Sequence, residues 1–278
     1  MFKRNYKDIV KTFMNYFLII ATFLTTIAIT LRSSENIKFK NILVILFCIT
    51  TFLSAAYLIL TSLKTGYILP MDDSSEVNKK CNKFCTKCKL FVPERAHHCR
   101  ICNRCIKRMN HHCPWVGRCV NNDNLAYFIR FLFFSTLSYA ISTIIYFFYI
   151  LEYFKKYSLN DNFIFLLPIF LHFLVTLIIS FIAFTILLFN ILLLLRNITL
   201  IEKKIIHDIE SIGVISKKNP YDFGTFRNLI NLLGKPYFLF LYGENVGSGC
   251  TFEKIFQHEY EIWSSEEITR WQDNGADV

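Results

Sequence analysis

Residues that could bind metal or act as nucleophiles are concentrated between Cys81 and Cys119, a stretch that contains eight of the ten cysteines of the chain. Four histidines are interleaved with these cysteines: His97, His98, His111 and His112. Thiolate and imidazole are the ligands that zinc prefers, and Cys-x2-Cys pairs followed by further His and Cys residues can supply tetrahedral sites. We therefore predict a zinc-binding module in this segment.

The spacing of these residues offers more ligands than one zinc ion needs. The segment reads Cys85-x2-Cys88, nine residues, His98-Cys99-x2-Cys102-x2-Cys105, four residues, Asn110-His111-His112-Cys113, five residues, and Cys119. Eight ligands would fill two sites, which leaves Cys113 as a surplus thiol beside a spare histidine, His111. A purely structural zinc ribbon has no need for such a pair, so the surplus indicates nucleophilic chemistry.

Four long apolar blocks must position this module. The chain of 278 residues is 53% hydrophobic and 17% aromatic, and its apolar residues cluster in blocks that reach the roughly 20 residues a helix needs to cross a bilayer. The blocks run from Thr12 to Leu31, Ile42 to Leu63, Tyr127 to Leu151, and Phe163 to Leu195. We predict an all-α polytopic membrane protein with four transmembrane helices and the cysteine-rich zinc domain between helices 2 and 3.

Basic residues predict the orientation of these helices, because short loops rich in Lys and Arg stay on the cytoplasmic side. Four such residues precede the first block, eleven lie between Lys79 and Arg118, and Lys203 and Lys204 follow the fourth block. We therefore expect both termini and the cysteine-rich loop in the cytoplasm, where reducing conditions disfavour disulfides.

The charge and the ligand spacing also narrow the class of partner. The net charge of +10 suits anionic lipid head groups or a phosphorylated ligand. Nucleic acid is not expected as a partner, because the chain is membrane-bound. It also lacks the dozen or so helical residues that a nucleic-acid finger places between its Cys pair and its His pair.

From Cys85 through Cys119, and on to Asn124 and Phe128, the residues and their spacing resemble the cysteine-rich domain of the DHHC protein S-acyltransferases, or palmitoyltransferases. The stretch from Asn219 to Gly224 with Asn228 is similar to the family's C-terminal motif, and Thr199-Leu200-Ile201-Glu202 is a degraded form of its TTxE motif. The resemblance implies two structural zinc ions. The first would be held by Cys85, Cys88, His98 and Cys105, and the second by Cys99, Cys102, His112 and Cys119.

The resemblance also implies an activity. A fatty acyl group would pass from acyl-CoA, such as palmitoyl-CoA, to Cys113 with help from His111, and then to cysteines of substrate proteins at the cytoplasmic membrane face. Arg95 stands where the family contacts a CoA phosphate, and Trp115 stands where it contacts the acyl chain. Membrane lipids would be further partners. An endomembrane, of the endoplasmic reticulum or Golgi, is the expected location.

Four segments are expected from the blocks and the resemblance together. Residues 1–63 would hold the cytoplasmic N-terminus and helices 1 and 2, and residues 64–126 the cysteine-rich zinc domain. Residues 127–196 would hold helices 3 and 4, and residues 197–278 a cytoplasmic C-terminal region with the TTxE-like and C-terminal motifs. We expect Asn228 to satisfy backbone groups where this last region docks.

The main departure from the family pattern is Asn110, which stands where the family has an aspartate, so the signature reads Asn-His-His-Cys. An aspartate would hold the histidine tautomer and stabilise the imidazolium, whereas an amide supplies orientation without charge. We expect Asn110 to orient His111, and we expect a thiol of ordinary pKa, about 8.5, to be partly ionised. Because the second threonine of TTxE lies near the aspartate in the family, Leu200 should lie near Asn110.

Two other classes of function stay open at this stage. A catalytically silent membrane zinc scaffold would recruit partner proteins and form no thioester on Cys113. A transporter would show paired intramembrane charges or interrupted helices, and the sequence shows neither.

Overall fold

The computed structural model of the protein describes residues 6–32, 40–69, 83–156, 163–211, 219–234 and 242–255; Cys81 lies outside these ranges. The chain forms two compact units. The hairpin unit comprises Met1–Thr12, Leu60–Phe128 and Asn190–Val278, and the helical unit comprises Phe13–Ile59 and Ile129–Phe189.

The four predicted transmembrane helices are confirmed by length and composition. They are α1 (Tyr6–Arg32), α2 (Lys40–Leu63), α3 (Leu125–Lys156) and α4 (Phe163–Leu195). Helix α1 begins at Tyr6, six residues before the predicted apolar block. Asp8 lies in its first turn, where a carboxylate complements the partial positive charge of a helix N-terminus.

Hydroxyl groups connect the helices of the helical unit to one another. Buried pairs at 2.6–2.8 Å join Thr51 to Ser138, Ser54 to Ser135, and Thr26 to Ser142. In hydrocarbon a polar side chain is favourable only when it finds a partner on a neighbouring helix. The same rule holds for His172 of α4, whose Nε2 lies 3.1 Å from Oγ1 of Thr25 on α1.

The cysteine-rich segment folds into three antiparallel hairpins that the sequence reasoning did not anticipate. They pair β1 (Lys83–Cys85) with β2 (Leu90–Val92), β3 (His97–Cys99) with β4 (Arg104–Ile106), and β5 (His111–Cys113) with β6 (Arg118–Val120). The Cys-x2-Cys turns form locally, because the backbone N–H groups of Cys88 and Cys102 donate to the Sγ atoms of Cys85 and Cys99. The long elements of the described residues are helical, as predicted.

Helix α5 (Leu200–Ser211) begins with a capping box, which gives the TTxE-like motif a local role. The Thr199 hydroxyl accepts the backbone N–H of Glu202 at 3.2 Å, and the Glu202 carboxylate accepts the backbone N–H of Thr199 at 2.8 Å. This reciprocal pair satisfies two backbone donors at the start of the helix.

Two buried asparagines join backbone segments of the hairpin unit. Asn124 donates to the carbonyls of Thr61, Lys64 and Cys119, and its own side-chain oxygen accepts the N–H of Asn121. Asn228, on α6 (Thr225–Leu233), donates to the Leu195 carbonyl at 2.8 Å and accepts the N–H of Phe223 at 3.1 Å. The expectation that Asn228 satisfies backbone groups where the C-terminal region docks is therefore confirmed.

Candidate metal centres and reactive thiol

Strand alternation sorts the Cys and His residues into two interleaved sets. In a β-strand successive side chains point to opposite faces. In β3, His98 therefore joins one group and Cys99 the other. The two groups whose ligand atoms come within 4.8 Å of one another are Cys85, Cys88, His98 and Cys105, here called set one, and Cys99, Cys102, His112 and Cys119, called set two. These are the same two groups that the resemblance implies.

Both sets have the donor chemistry that zinc requires. Each offers three thiols and one imidazole, and in each the histidine presents Nδ1 to the thiols: His98 Nδ1 lies 3.2 Å from Cys88 Sγ, and His112 Nδ1 lies 3.4 Å from Cys102 Sγ. Compact sets of sulfur and nitrogen ligands are typical of structural zinc sites and unsuited to magnesium or calcium. The residues of both sets therefore fit zinc.

Each set is part of its own small apolar core. Cys85 and Cys105 of set one pack with Ile68, Val92 and Ala96. Cys99 and Cys119 of set two pack with Ile106, Met109 and, from α5, Ile201 and Ile205. Helix α5 thus contacts the core that surrounds set two.

Alternation along β5 separates the predicted catalytic pair, His111 and Cys113, from the candidate metal ligand His112. His112 points to set two, so His111 and Cys113 project from the opposite face of the same strand. The Cys113 thiol is buried at 7% exposure, and burial raises its pKa to about 11 even though the N–H groups of Val116 and Trp115 lower it. The expectation that this thiol is partly ionised near pH 7 is therefore wrong, because it took no account of burial. A base has to take the proton.

His111 is the candidate for this base because it lies on the same face of β5 as Cys113. Burial lowers its pKa to about 4, so the ring is neutral near pH 7 and has a lone pair that can accept a proton, while the same burial makes it a weaker base. The ring contacts Phe128 edge-on, with 5.6 Å between centroids. Its Nδ1 atom is buried and has no hydrogen-bond partner among the described residues.

Asn110 contacts α5 rather than this nitrogen. Its side-chain oxygen accepts the backbone N–H of Leu200 at 2.6 Å, which confirms the expected proximity of these two positions. The contact satisfies an N–H at the first turn of α5, where helical backbone donors have no partner within the helix. Asn110 does not orient His111 through Nδ1 in this structure, and its catalytic role stays a prediction.

The structure adds one residue to the site that sequence reasoning missed. The Asp8 carboxylate lies 3.2 Å from Nε2 of His112, and both side chains are buried. No local pattern marks this contact, because 104 residues separate the partners. The sequence shows Asp8 only as an acidic residue in the first turn of α1.

Arg95 is buried in a bidentate ion pair. Its guanidinium donates to both oxygens of Glu202 at 2.6 and 2.7 Å and to Asn197 at 2.8 and 3.2 Å. The Tyr221 ring lies against it at 4.1 Å. Trp115, the other residue assigned to the acyl donor, lies in the turn after β5 with 44% of its surface exposed.

A cavity of about 480 Å³ opens beside this ion pair, entirely within the hairpin unit. Its lining includes Arg95, Arg108, Asn197, Tyr221 and Asn245. Arg108 is 2% exposed; it donates to Asn197 Oδ1 at 2.9 Å, and its Nε has no partner among the described residues. Arg108 adds a second positive charge beside Glu202, whose two oxygens already accept hydrogen bonds from Arg95. The excess of positive charge beside this carboxylate makes the cavity suitable for an anion.

Membrane-length helices, two interleaved Cys3His sets and a buried surplus thiol define an integral membrane protein with a zinc-binding thiol module. Residues 78–206, somewhat less than half of the chain, match the family model of the DHHC palmitoyltransferases.

Two curated relatives are similar to the chain and carry palmitoyltransferase names. Palmitoyltransferase PFA3 of Debaryomyces hansenii is 29% identical over 215 residues, which cover 67% of this chain and 51% of that protein. Palmitoyltransferase ZDHHC15 of Homo sapiens is 30% identical over 205 residues, which cover 70% of this chain and 57% of that protein. The chain thus spans little more than half the length of these relatives.

Proposed function

We propose that the chain is a protein S-acyltransferase that moves a fatty acyl group, palmitoyl first of all, from acyl-CoA to cysteines of substrate proteins. The observation that carries the proposal is the position of Cys113. It is a buried thiol, outside both metal sets, on the same face of β5 as the neutral imidazole of His111. The names of the two relatives agree with it.

The reaction consists of two thioester exchanges. His111 takes the proton of the Cys113 thiol, and the thiolate attacks the carbonyl carbon of acyl-CoA. A new C–S bond forms, the bond to the CoA sulfur breaks, and CoA leaves as a thiol with the proton from His111. A substrate cysteine then gives its proton to His111, attacks the acyl-enzyme and regenerates the Cys113 thiol.

Zinc bound to the two sets would supply structural support for the hairpins rather than chemistry at the thioester. The protein's own contribution is a dry site, since burial of Cys113 keeps water from the acyl-enzyme. We expect Trp115 to contact the acyl chain near its thioester end.

The second guanidinium beside Glu202, that of Arg108, supports a phosphate of the acyl donor as the ligand of the cavity. Arginine matches phosphate oxygens with its planar fork, and Arg108 retains a free Nε–H whereas Arg95 is already paired with Glu202. We therefore add Arg108 to the predicted CoA contact at Arg95.

The setting of the reaction follows from the loop charges. We propose that both termini and the hairpin unit face the cytoplasm of an endomembrane, with membrane lipids and cysteine-containing proteins as partners. The division at residues 63, 126 and 196 stays a prediction.

The test is incubation of the purified protein with a clickable palmitoyl-CoA. We expect a hydroxylamine-sensitive label that is lost in Cys113→Ser and kept in the control Cys250→Ser, a cysteine outside both metal sets. A protein that holds two zinc ions and takes no label at Cys113 would contradict the enzyme and favour the zinc scaffold.

A further inference from the structure

The first turns of α1 make two contacts, one with β5 and one with the residue that follows it. Asp8 bonds to Nε2 of His112, and Thr12, one helical turn later, donates its hydroxyl to the Pro114 carbonyl at 3.1 Å. Both side chains are at least 90% buried. Residues four apart lie on the same helix face, so this one face holds the residues on either side of Cys113.

The close approach of Thr12 is built into the turn after Cys113. Gly117 has a φ of +70°, and a Cβ atom placed there would come within 2.6 Å of the Thr12 hydroxyl oxygen. A side chain at this position would have to push Thr12 away. The turn therefore combines a left-handed backbone, which favours glycine, with direct contact to α1.

Asp8 contacts the far side of a candidate metal ligand. His112 presents Nδ1 to the thiols of set two, and with a metal bound at Nδ1 the hydrogen would be on Nε2, which lies 3.2 Å from the Asp8 carboxylate and would donate to it. Carboxylate partners of ligating histidines hold the tautomer and the ring orientation, and their loss typically lowers metal affinity or activity about 10–100-fold.

We propose that Asp8 and Thr12 are positioning residues: Asp8 orients His112 and so retains zinc at set two, and Thr12 holds the turn after Cys113 in place for acyl transfer. The zinc part stands on its own. The acyl-transfer part rests on the proposed function.

The zinc part is tested by the release of zinc to a chromogenic chelator. We expect two kinetic phases in the parent, one for each set. Asp8→Ala should accelerate one phase by about tenfold or more and leave the other unchanged, and Asp8→Glu should restore the parental rate in part. Glu210→Gln, an exposed acid on α5, is the control and should match the parent.

Single-turnover acylation of Cys113 tests the second part. We expect Asp8→Ala to lower the maximal rate by about tenfold or more with an unchanged KM for palmitoyl-CoA, since Asp8 does not line the cavity. Thr12→Val should lower that rate without accelerating either zinc phase, and Thr12→Ser should restore it.

The outcomes separate this proposal from the proposed function. If Asp8→Ala leaves both zinc phases unchanged, or accelerates both equally, the role of Asp8 is overturned whether or not the protein acylates. If the parent forms no acyl-enzyme but Asp8→Ala accelerates one phase, the metal-positioning role stands and the acyltransferase proposal fails.

Discussion

The two metal sets have the same ligands but different surroundings. In set one, His98 is half-buried and has the neutral amide of Asn103 as a side-chain partner. In set two, His112 is buried, bonds to the carboxylate of Asp8 and directly precedes Cys113 in the chain. The core around set two also includes residues of α5, whereas the core around set one lies within the cysteine-rich segment and the nearby Ile68.

This difference indicates a division of labour within one zinc module. Set one joins the β1–β2 turn to the β3–β4 hairpin, and set two joins the β3–β4 turn to the β5–β6 hairpin, which includes Cys113, the proposed nucleophile. We therefore expect the same ligand chemistry to serve stability in set one and positioning of Cys113 in set two.

The largest effect on acylation should come from a pair of single variants, each of which removes one ligand from one set. We expect Cys119→Ser and Cys88→Ser each to lose one zinc ion, as measured by metal analysis of the purified protein. Cys119→Ser should also lower acylation of Cys113 by about 100-fold, because small displacements of a reacting group cost that much. The loss in Cys88→Ser should be smaller. Equal losses of acylation would contradict the division of labour.

The next effect concerns the ion pair that connects the two cores. Arg95 lies three residues before His98, and Glu202 lies between Ile201 and Ile205 of the other core. Glu202→Gln leaves a buried guanidinium without its counter-charge, which typically costs about 3–5 kcal/mol. We expect one cooperative unfolding transition, shifted to lower urea concentration in detergent. Two separated transitions would show that the cores unfold independently.

The free energy of unfolding that Glu202→Gln removes depends on pH in a defined direction. Burial alone would raise the pKa of Glu202, but the guanidinium groups of Arg95 and Arg108 outweigh it and lower the pKa from its usual value of 4.5. The stabilisation is therefore present above that usual value and is lost only as the pH falls through the lower pKa of the folded state. We expect the cost of Glu202→Gln to be equal at pH 8 and pH 6. A cost that shrinks between them would mean that the folded-state pKa is raised instead.

The smallest effect should come from Asn110→Asp. The carboxylate can still accept the N–H of Leu200, so stability should change by less than about 1 kcal/mol. A negative charge beside His111 favours the imidazolium, so acylation should rise by no more than about tenfold, the factor that corresponds to one pKa unit. Single-turnover rates of the two proteins measure this. A slower Asn110→Asp protein would show that the amide is required at this position.

Much of this arrangement could be predicted, because its determinants are local. Four apolar blocks predicted the four long helices, and the spacing of the cysteines and histidines predicted that eight ligands form two sets. The assignment of each ligand to its set came from the resemblance, and strand alternation within the hairpins explains it.

The rest depends on contacts between residues far apart in the chain. The bond from Asp8 to His112 and the ion pair of Arg95 with Glu202 span 104 and 107 residues, and no spacing rule marks them. The raised pKa of Cys113 likewise follows from burial, which only the folded chain determines.

Cys113 belongs to neither metal set, and we propose that this thiol is the nucleophile. The most direct test measures zinc content and acyl label in the same sample of Cys113→Ser. We predict that this variant retains both zinc ions, as the parent does, and takes no hydroxylamine-sensitive label from palmitoyl-CoA. A variant that loses one zinc ion, or that keeps the label, would contradict the account.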